Sequence, residues 1–386
     1  MHRTRLTLAT PRIGLFLALS LLLGVLCGCA TSRGLPRERD IPELARLGQI
    51  YDRLPATQTL VPTRRAGHEV NLAVHELGPG DRDRLAILLH GVLGNADTYR
   101  HLAAELSSDH DVWLVELPGC GASDKPKPRD LEPDGYGPTA MADRVFQAIG
   151  ERLRARAGTA PKHVVAVGHS LGGTVLLRAY GDPDLRQRHA AILNQIDRLT
   201  LLAPCDMAIH AEIPIFRSIA TLKGWQATLA DLFGILDRKC TLAMRDSLFT
   251  PNRATLELAD SMRDVLADGP TRRAAQAIIR QAVPWRVKEH RPDWPAIENL
   301  QPMLAAVDVP CLLVWGDRDE TFPASMGHKM RDEIPGAILV KLENCSHAVP
   351  REKFSEVAEL IRAFTDGRPL PIVEPRPLPP RTRARP

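Results

Sequence analysis

Apolar residues fall along this chain in two rhythms. Val70, Leu72 and Val74 alternate with polar or small residues, as on a half-buried edge strand, whereas Leu85 to Leu89 is continuously apolar, as in the centre of a parallel sheet. Further buried-strand runs are Val112 to Val115, Val164 to Val167, Leu199 to Ala203, Cys311 to Trp315 and Ile338 to Leu342, with helical segments between them. Repeated strand and helix predicts an α/β fold whose mostly parallel central sheet is covered by helices on both faces. The rhythm breaks over residues 205–308, which are nearly strand-free. There Trp225, Leu229, Leu232, Phe233 and Leu236 recur at helical spacing, which predicts an inserted helical cap with this stripe packing its core. Before the first strand, Leu44, Leu47, Tyr51 and Leu54 mark a short docking helix, so residues 29–66 read as tether and docking helix. The core then divides into residues 67–204 and 309–366. Beyond it, the Pro/Arg-rich residues 367–386 read as a disordered tail.

At 386 residues, 44% hydrophobic and 25% charged, the chain is long enough for one large core with an insertion. Its formal charge of +4 sits at the ends. Three arginines precede residue 29, and five arginines against Glu374 follow residue 367, leaving residues 29–367 near −3. Nucleic acid is therefore not an expected partner. Arg3, Arg5 and Arg12 stand before an apolar run from Ile13 to Leu26, too short for a comfortable membrane span and suited to a secretory h-region. The run ends in Leu26, Cys27, Gly28 and Cys29, which resembles a bacterial lipoprotein box. That resemblance implies a signal peptide over residues 1–28, lipidation of Cys29 and a lipid-anchored protein of the cell envelope. Ala30, in place of an aspartate, favours the outer membrane if the source is a diderm bacterium. Five cysteines remain, Cys120, Cys205, Cys240, Cys311 and Cys345, with no zinc-like spacing. They read as small buried fillers, and a Cys205–Cys240 bridge is left open.

Chemistry gathers where the strands end. The run Leu85 to Leu89 leads into His90, Gly91, Val92, Leu93 and Gly94. The next strand ends in ELPGCGASDKP, and Val164 to Val167 ends in Gly168, His169, Ser170, Leu171 and Gly172. After the cap, Cys311 to Trp315 leads into GDRDETFP, and the last strand into NCSHAVP with His347. Parallel strands deliver these loops to one sheet edge, where open α/β sheets bind ligands. Ser170 sits at a strand-to-helix corner that needs small neighbours, supplied by Gly168 and Gly172. No HExxH pair, carboxylate cluster or phosphate-cradling GxxxxGK[ST] loop is present, so neither metal nor cofactor is expected.

In the order LLHGVLGNADTY, ELPGCGASDKP, GHSLGG, WGDRDETFP and CSHAVP, the chain resembles the α/β-hydrolase superfamily from about residue 70 to 364. The resemblance implies that Ser170 is the nucleophile, His347 the general base and acid, and Asp319 the carboxylate that orients it. It also implies an oxyanion site from the backbone N–H groups of Val92 and Leu171. Asp319 is chosen over Asp317 and Asp206 because it stands four residues before Pro323, as the family's acid usually does. His90 and His169 occupy positions that the family often fills with histidine for structural hydrogen bonds. The expected reaction is hydrolysis of a small-molecule acyl ester, lipids included. Acyl transfer or C–C bond hydrolysis by the same triad, or a non-catalytic envelope scaffold, are the alternatives.

Overall fold

The computed structural model describes residues 35–371, apart from 157–159, 206–213, 250–252, 283–284, 287–290, 294, 296 and 298–299. The segment read as a signal peptide, Cys29, Asp206 and most of the Pro/Arg-rich tail lie outside the described residues.

Eight strands make one sheet: β1 (Ala56–Arg65), β2 (His68–Leu77), β3 (Arg84–Leu89), β4 (Asp111–Val115), β5 (His163–His169), β6 (Arg198–Leu202), β7 (Cys311–Gly316) and β8 (Ile338–Leu342). Their spatial order is β1-β2-β4-β3-β5-β6-β7-β8. The six strands β3 to β8 are mutually parallel, while β2 runs antiparallel to both β1 and β4. The continuously apolar runs are the parallel strands; β3 to β7 are buried along nearly their whole length because helices cover both faces of the sheet, while β8, at the far edge, buries only Leu339 and Val340.

Two expectations change here. Val70, Leu72 and Val74 lie on β2, which is flanked on both sides, and the edge is instead β1, in the segment read as tether. β1 joins β2 through a two-residue turn in which Ala66 (φ 49°) and Gly67 (φ 85°) both take positive φ, the geometry that suits a tight hairpin.

The principal helices are α1 (Pro42–Arg53), α2 (Arg100–Leu106), α3 (Pro138–Ala155), α4 (Leu171–Gly181), α5 (Pro214–Thr221), α6 (Gly224–Leu232), α7 (Ile235–Ser247), α8 (Leu256–Ala267), α9 (Gly269–Ala282), α10 (Ala324–Glu333) and α11 (Phe354–Thr365). Helices α5 to α9 fall between β6 and β7, interrupted only by the paired dipeptides Trp285–Arg286 and Arg291–Pro292 among the described residues. The cap stripe does not pack inward as the periodicity implied. Leu236 is buried, but Trp225, Leu229, Leu232 and Phe233 are 63%, 44%, 75% and 46% exposed. Cys120, Cys205, Cys240, Cys311 and Cys345 are all buried free thiols, so no Cys205–Cys240 bridge forms.

Candidate active site

Strand β5 ends at His169 and α4 begins at Leu171, so Ser170 alone makes the corner. Its backbone is held at φ 50° and ψ −119°, a left-handed conformation unusual for a residue with a side chain. Such strain, of order 1–3 kcal/mol, persists only where the surroundings over-determine it. Here the Ser170 amide donates to Leu202 O at 2.9 Å, and its carbonyl accepts from Gly173 N and Cys205 N at 3.0 and 3.1 Å. Space sets the neighbours. A Cβ on Gly172 would lie 2.2 Å from Leu89 O, and one on Gly168 would lie 2.6 Å from Gly173 Cα. Only glycine lets α4 fold back this closely on the sheet.

Strands β7 and β8 deliver the other two side chains. His347 Nδ1 donates to Asp319 Oδ2 at 2.8 Å, and that carboxylate is fully buried. Its other oxygen accepts from the amides of Thr321 and Phe322 at 2.9 and 2.8 Å, so Asp319 is oriented on both sides. The Phe322 ring packs edge-on against the imidazole, with centroids 4.8 Å apart. Asp317, two residues away, turns elsewhere: its Oδ1 accepts from Cys345 N at 3.3 Å and ties the β7 loop to the β8 loop. Buried Glu352 accepts from Ser346 N at 2.8 Å and from the Ser346 hydroxyl, bracing the His347 loop from below.

The remaining histidines are engaged. His90 Nε2 accepts from Leu117 N at 3.2 Å, which leaves its Nδ1–H to donate to Gly91 O at 2.8 Å. His169 Nε2 donates to His347 O at 2.9 Å. Burial, reinforced by the nearby His347 ring, pushes the His169 pKa down to about 3, so it stays neutral and fixes the His347 backbone.

Ser170 and His347 line one cavity of about 610 Å³ together with Gly91, Val92 and Leu93. No hydrogen bond joins Ser170 to His347, so their common ground is this cavity. The Gly91 backbone passes so close that a Cβ there would lie 3.0 Å from Ser170 Cβ. Leu171 opens α4, where helical N–H groups have no internal acceptor, and Val92 follows Gly91 on the cavity wall. Among the described residues, no cluster of three or more His, Cys, Asp or Glu side chains could hold a metal ion.

Sequence reasoning missed one wall of the cavity. Leu44, Ala45 and Gly48 of α1 line it, as do Glu38 and Arg351, a partly buried pair 3.4 Å apart. Amphipathic spacing marked α1 as a helix that buries one face, but spacing carries no information about what that face meets.

A strained serine corner, a buried carboxylate–imidazole pair and a mostly parallel sheet define an α/β-hydrolase architecture. The family model described as alpha/beta hydrolase fold matches residues 86–353, and the chain belongs to that family. Among curated proteins it is similar to the uncharacterized hydrolase YugF of Bacillus subtilis, 25% identical over 292 residues covering 75% of this chain and 92% of that protein. It is also similar to lipase 3 of Moraxella sp. TA144, 24% identical and covering 81% and 90% of the two chains. Its fold resembles the crystal structure of a membrane phospholipase A, a bacterial virulence factor, with a TM-score of 0.58, 20% identity and coverage of 92% and 97%.

Proposed function

We propose that this protein is a serine hydrolase of carboxylic esters, lipid-like esters included, in which Ser170, His347 and Asp319 act as nucleophile, base and orienting acid. The observation that carries the reading is the convergence of a strained Ser170 and an Asp319-bound His347 on one cavity. A serine hydroxyl is a weak nucleophile until a base takes its proton. In the proposed sequence, Ser170 Oγ attacks the ester carbonyl carbon as His347 Nε2 accepts the proton. The oxyanion so formed is held by the N–H groups of Val92 and Leu171. Asp319 remains ionised and stabilises the imidazolium through Nδ1. Collapse expels the alcohol, which takes the proton from His347. Water then gives a proton to His347 and attacks the acyl carbon, and as the bond to Ser170 Oγ breaks His347 returns that proton to Ser170, releasing the acid.

The lipid-like class draws on the lipase among the chain's relatives and on the mainly apolar cavity wall of Leu44, Leu248, Leu258 and Met262. We further propose that the mature chain is anchored at Cys29 to the cell envelope, to the outer membrane in a diderm bacterium. Support comes from the basic and apolar residues before Cys29 and from the position of the chain behind it. Pro36 O accepts from Leu256 N of the cap at 3.0 Å, and the seven residues from Cys29 span at most about 25 Å. The cap also exposes Trp225, Leu229 and Leu232, whose composition suits an interface. No helix among the described residues is long and apolar enough to cross a membrane.

Turnover of p-nitrophenyl butyrate tests the reaction: it should vanish in Ser170→Ala and His347→Ala while the circular dichroism spectrum is kept, and wild-type turnover in Ser170→Ala would overturn the assignment. For the anchor, mass spectrometry of the membrane-extracted protein should find an acylated N-terminal Cys29. A mature chain beginning at any other residue would refute it.

A further inference from the structure

Helix α1 ends at Arg53, more than thirty residues before the family match begins at residue 86, yet it walls the Ser170 cavity. Leu44, Ala45, Gly48 and Gln49 lie at spacings of one, four and five residues, one face of a 3.6-residue helix, and all four line that cavity. Two sets of contacts fix the helix in place. On the core side, Arg100 of α2 donates to Asp52 at 2.7 Å and to Gly48 O at 3.4 Å, with its guanidinium 5.0 Å over the Tyr51 ring. On the cap side, Glu43 pairs with Arg253 at 2.6 Å, and Glu38 N donates to Glu257 at 3.1 Å. So α1 bridges core and cap at the cavity. Leu248, Leu258 and Met262 of the cap line the same cavity.

Resting on the ester-hydrolase reading, we propose that the α1 face and these cap residues form the subsite for the substrate's acyl hydrocarbon chain, with Ala45 limiting the chain length accepted. Three observations converge. Leu44 and Ala45 of α1 and Leu248, Leu258 and Met262 of the cap supply apolar side chains to this lining, against which a hydrocarbon chain leaves water. On this lining Glu38 pairs with Arg351 and Asp52 with Arg100, so those four charges are balanced among themselves, and Asp97 and Glu257 add carboxylates that favour a neutral hydrocarbon over an anionic group. Finally, the acyl half stays on Ser170 while water arrives, whereas the alcohol leaves first. An enclosed apolar wall therefore serves the acyl half, and the leaving group needs the open side.

Ala45 is the position to probe. It is half-buried, and its methyl is the smallest side chain on the face, so enlarging it fills the cavity from the α1 side. Gly48 is less suitable, because a Cβ there points at the Arg100 guanidinium, 3.5 Å away.

The experiment uses the full chain and p-nitrophenyl acetate, butyrate, octanoate and laurate, with Ala45→Trp and the smaller Ala45→Leu as independent variants. The laurate-to-butyrate ratio of kcat/KM should fall about tenfold or more in Ala45→Trp and less in Ala45→Leu. An unchanged ratio in a folded variant of either kind overturns the subsite. Displacement of a fluorescent fatty acid by laurate from Ser170→Ala protein separates this proposal from the reaction. If the wild type hydrolyses no ester but Ala45→Trp weakens laurate binding about tenfold in that background, the subsite stands and the hydrolase reading fails. Laurate binding unaffected by Ala45→Trp sinks the subsite whatever the chemistry.

Discussion

Every residue of β5 from Val164 to His169 is buried, whereas α6 in the cap buries Ala227 alone and leaves Trp225, Leu229 and Leu232 in solvent. The contrast extends to the packing around each. The strands, α1, the sheet-covering helices and α9 of the cap share one continuous core through Ala274, Ala277 and Ile278, while the rest of the cap has its own small cluster of Ile219, Leu236, Cys240 and Leu266. Close packing resists displacement, so side chains delivered by β5, β7 and β8 keep their mutual geometry. A thinly packed layer can shift at low cost, which suits a wall that admits and releases a ligand. In the proposed reading, chemistry belongs to the sheet edge and selection to the cap and α1.

The largest expected effect falls on the sheet edge. Asp319→Asn preserves the shape of the loop but removes the negative charge behind the imidazole, and kcat for p-nitrophenyl butyrate should drop by about 10⁴. Asp317→Asn, which loses a partly exposed ion pair with Arg318 and keeps an oxygen that can accept from Cys345 N, should cost far less, and equal losses in both would dissolve the distinction between them. Next comes packing. Leu88 at the centre of β3 is fully buried, and Leu88→Ala should destabilise the fold by about 2–5 kcal/mol in urea unfolding. Leu232→Ser, at a site 75% exposed, should stay within about 0.5 kcal/mol of wild type. Similar costs at the two positions would show that the cap is packed as firmly as the core.

A smaller effect follows from His169. Its ordinary value of 6.5 falls to about 3 in the folded chain, chiefly through burial. Between those values the unfolded chain binds a proton that the folded chain does not, so stability falls as pH drops through this window. Buried His90, its pKa also lowered by desolvation, acts in the same direction. The thermal midpoint should therefore decline from pH 7 to pH 5, and His169→Gln should flatten that decline. A variant with the wild-type slope would place the acid sensitivity elsewhere.

Much of the sheet edge was legible because its signals are local. Continuous apolar runs named β3 to β8, and the glycines beside Ser170 marked a corner whose crowding the structure makes explicit in the 2.2 Å approach at Gly172. The choice of Asp319 came from the resemblance, and its geometry relative to Asp317 needed three-dimensional structure. β1 escaped notice because an edge strand with only Val61 and Thr63 buried reads as polar loop. The stripe from Trp225 to Phe233 was misassigned because helical periodicity is the same whether the apolar side meets a core or faces outward. The α1 wall was hidden for a related reason: its contacts with Arg100, Arg253 and Glu257 span roughly fifty to two hundred residues of sequence.

The central claim is that Ser170 is a nucleophile activated by His347. Incubation with a fluorophosphonate followed by peptide mass spectrometry tests it most directly. The account predicts one phosphonylated residue, Ser170, with labelling lost in Ser170→Ala and suppressed in His347→Ala. An adduct on another residue, or labelling that survives Ser170→Ala, would contradict it.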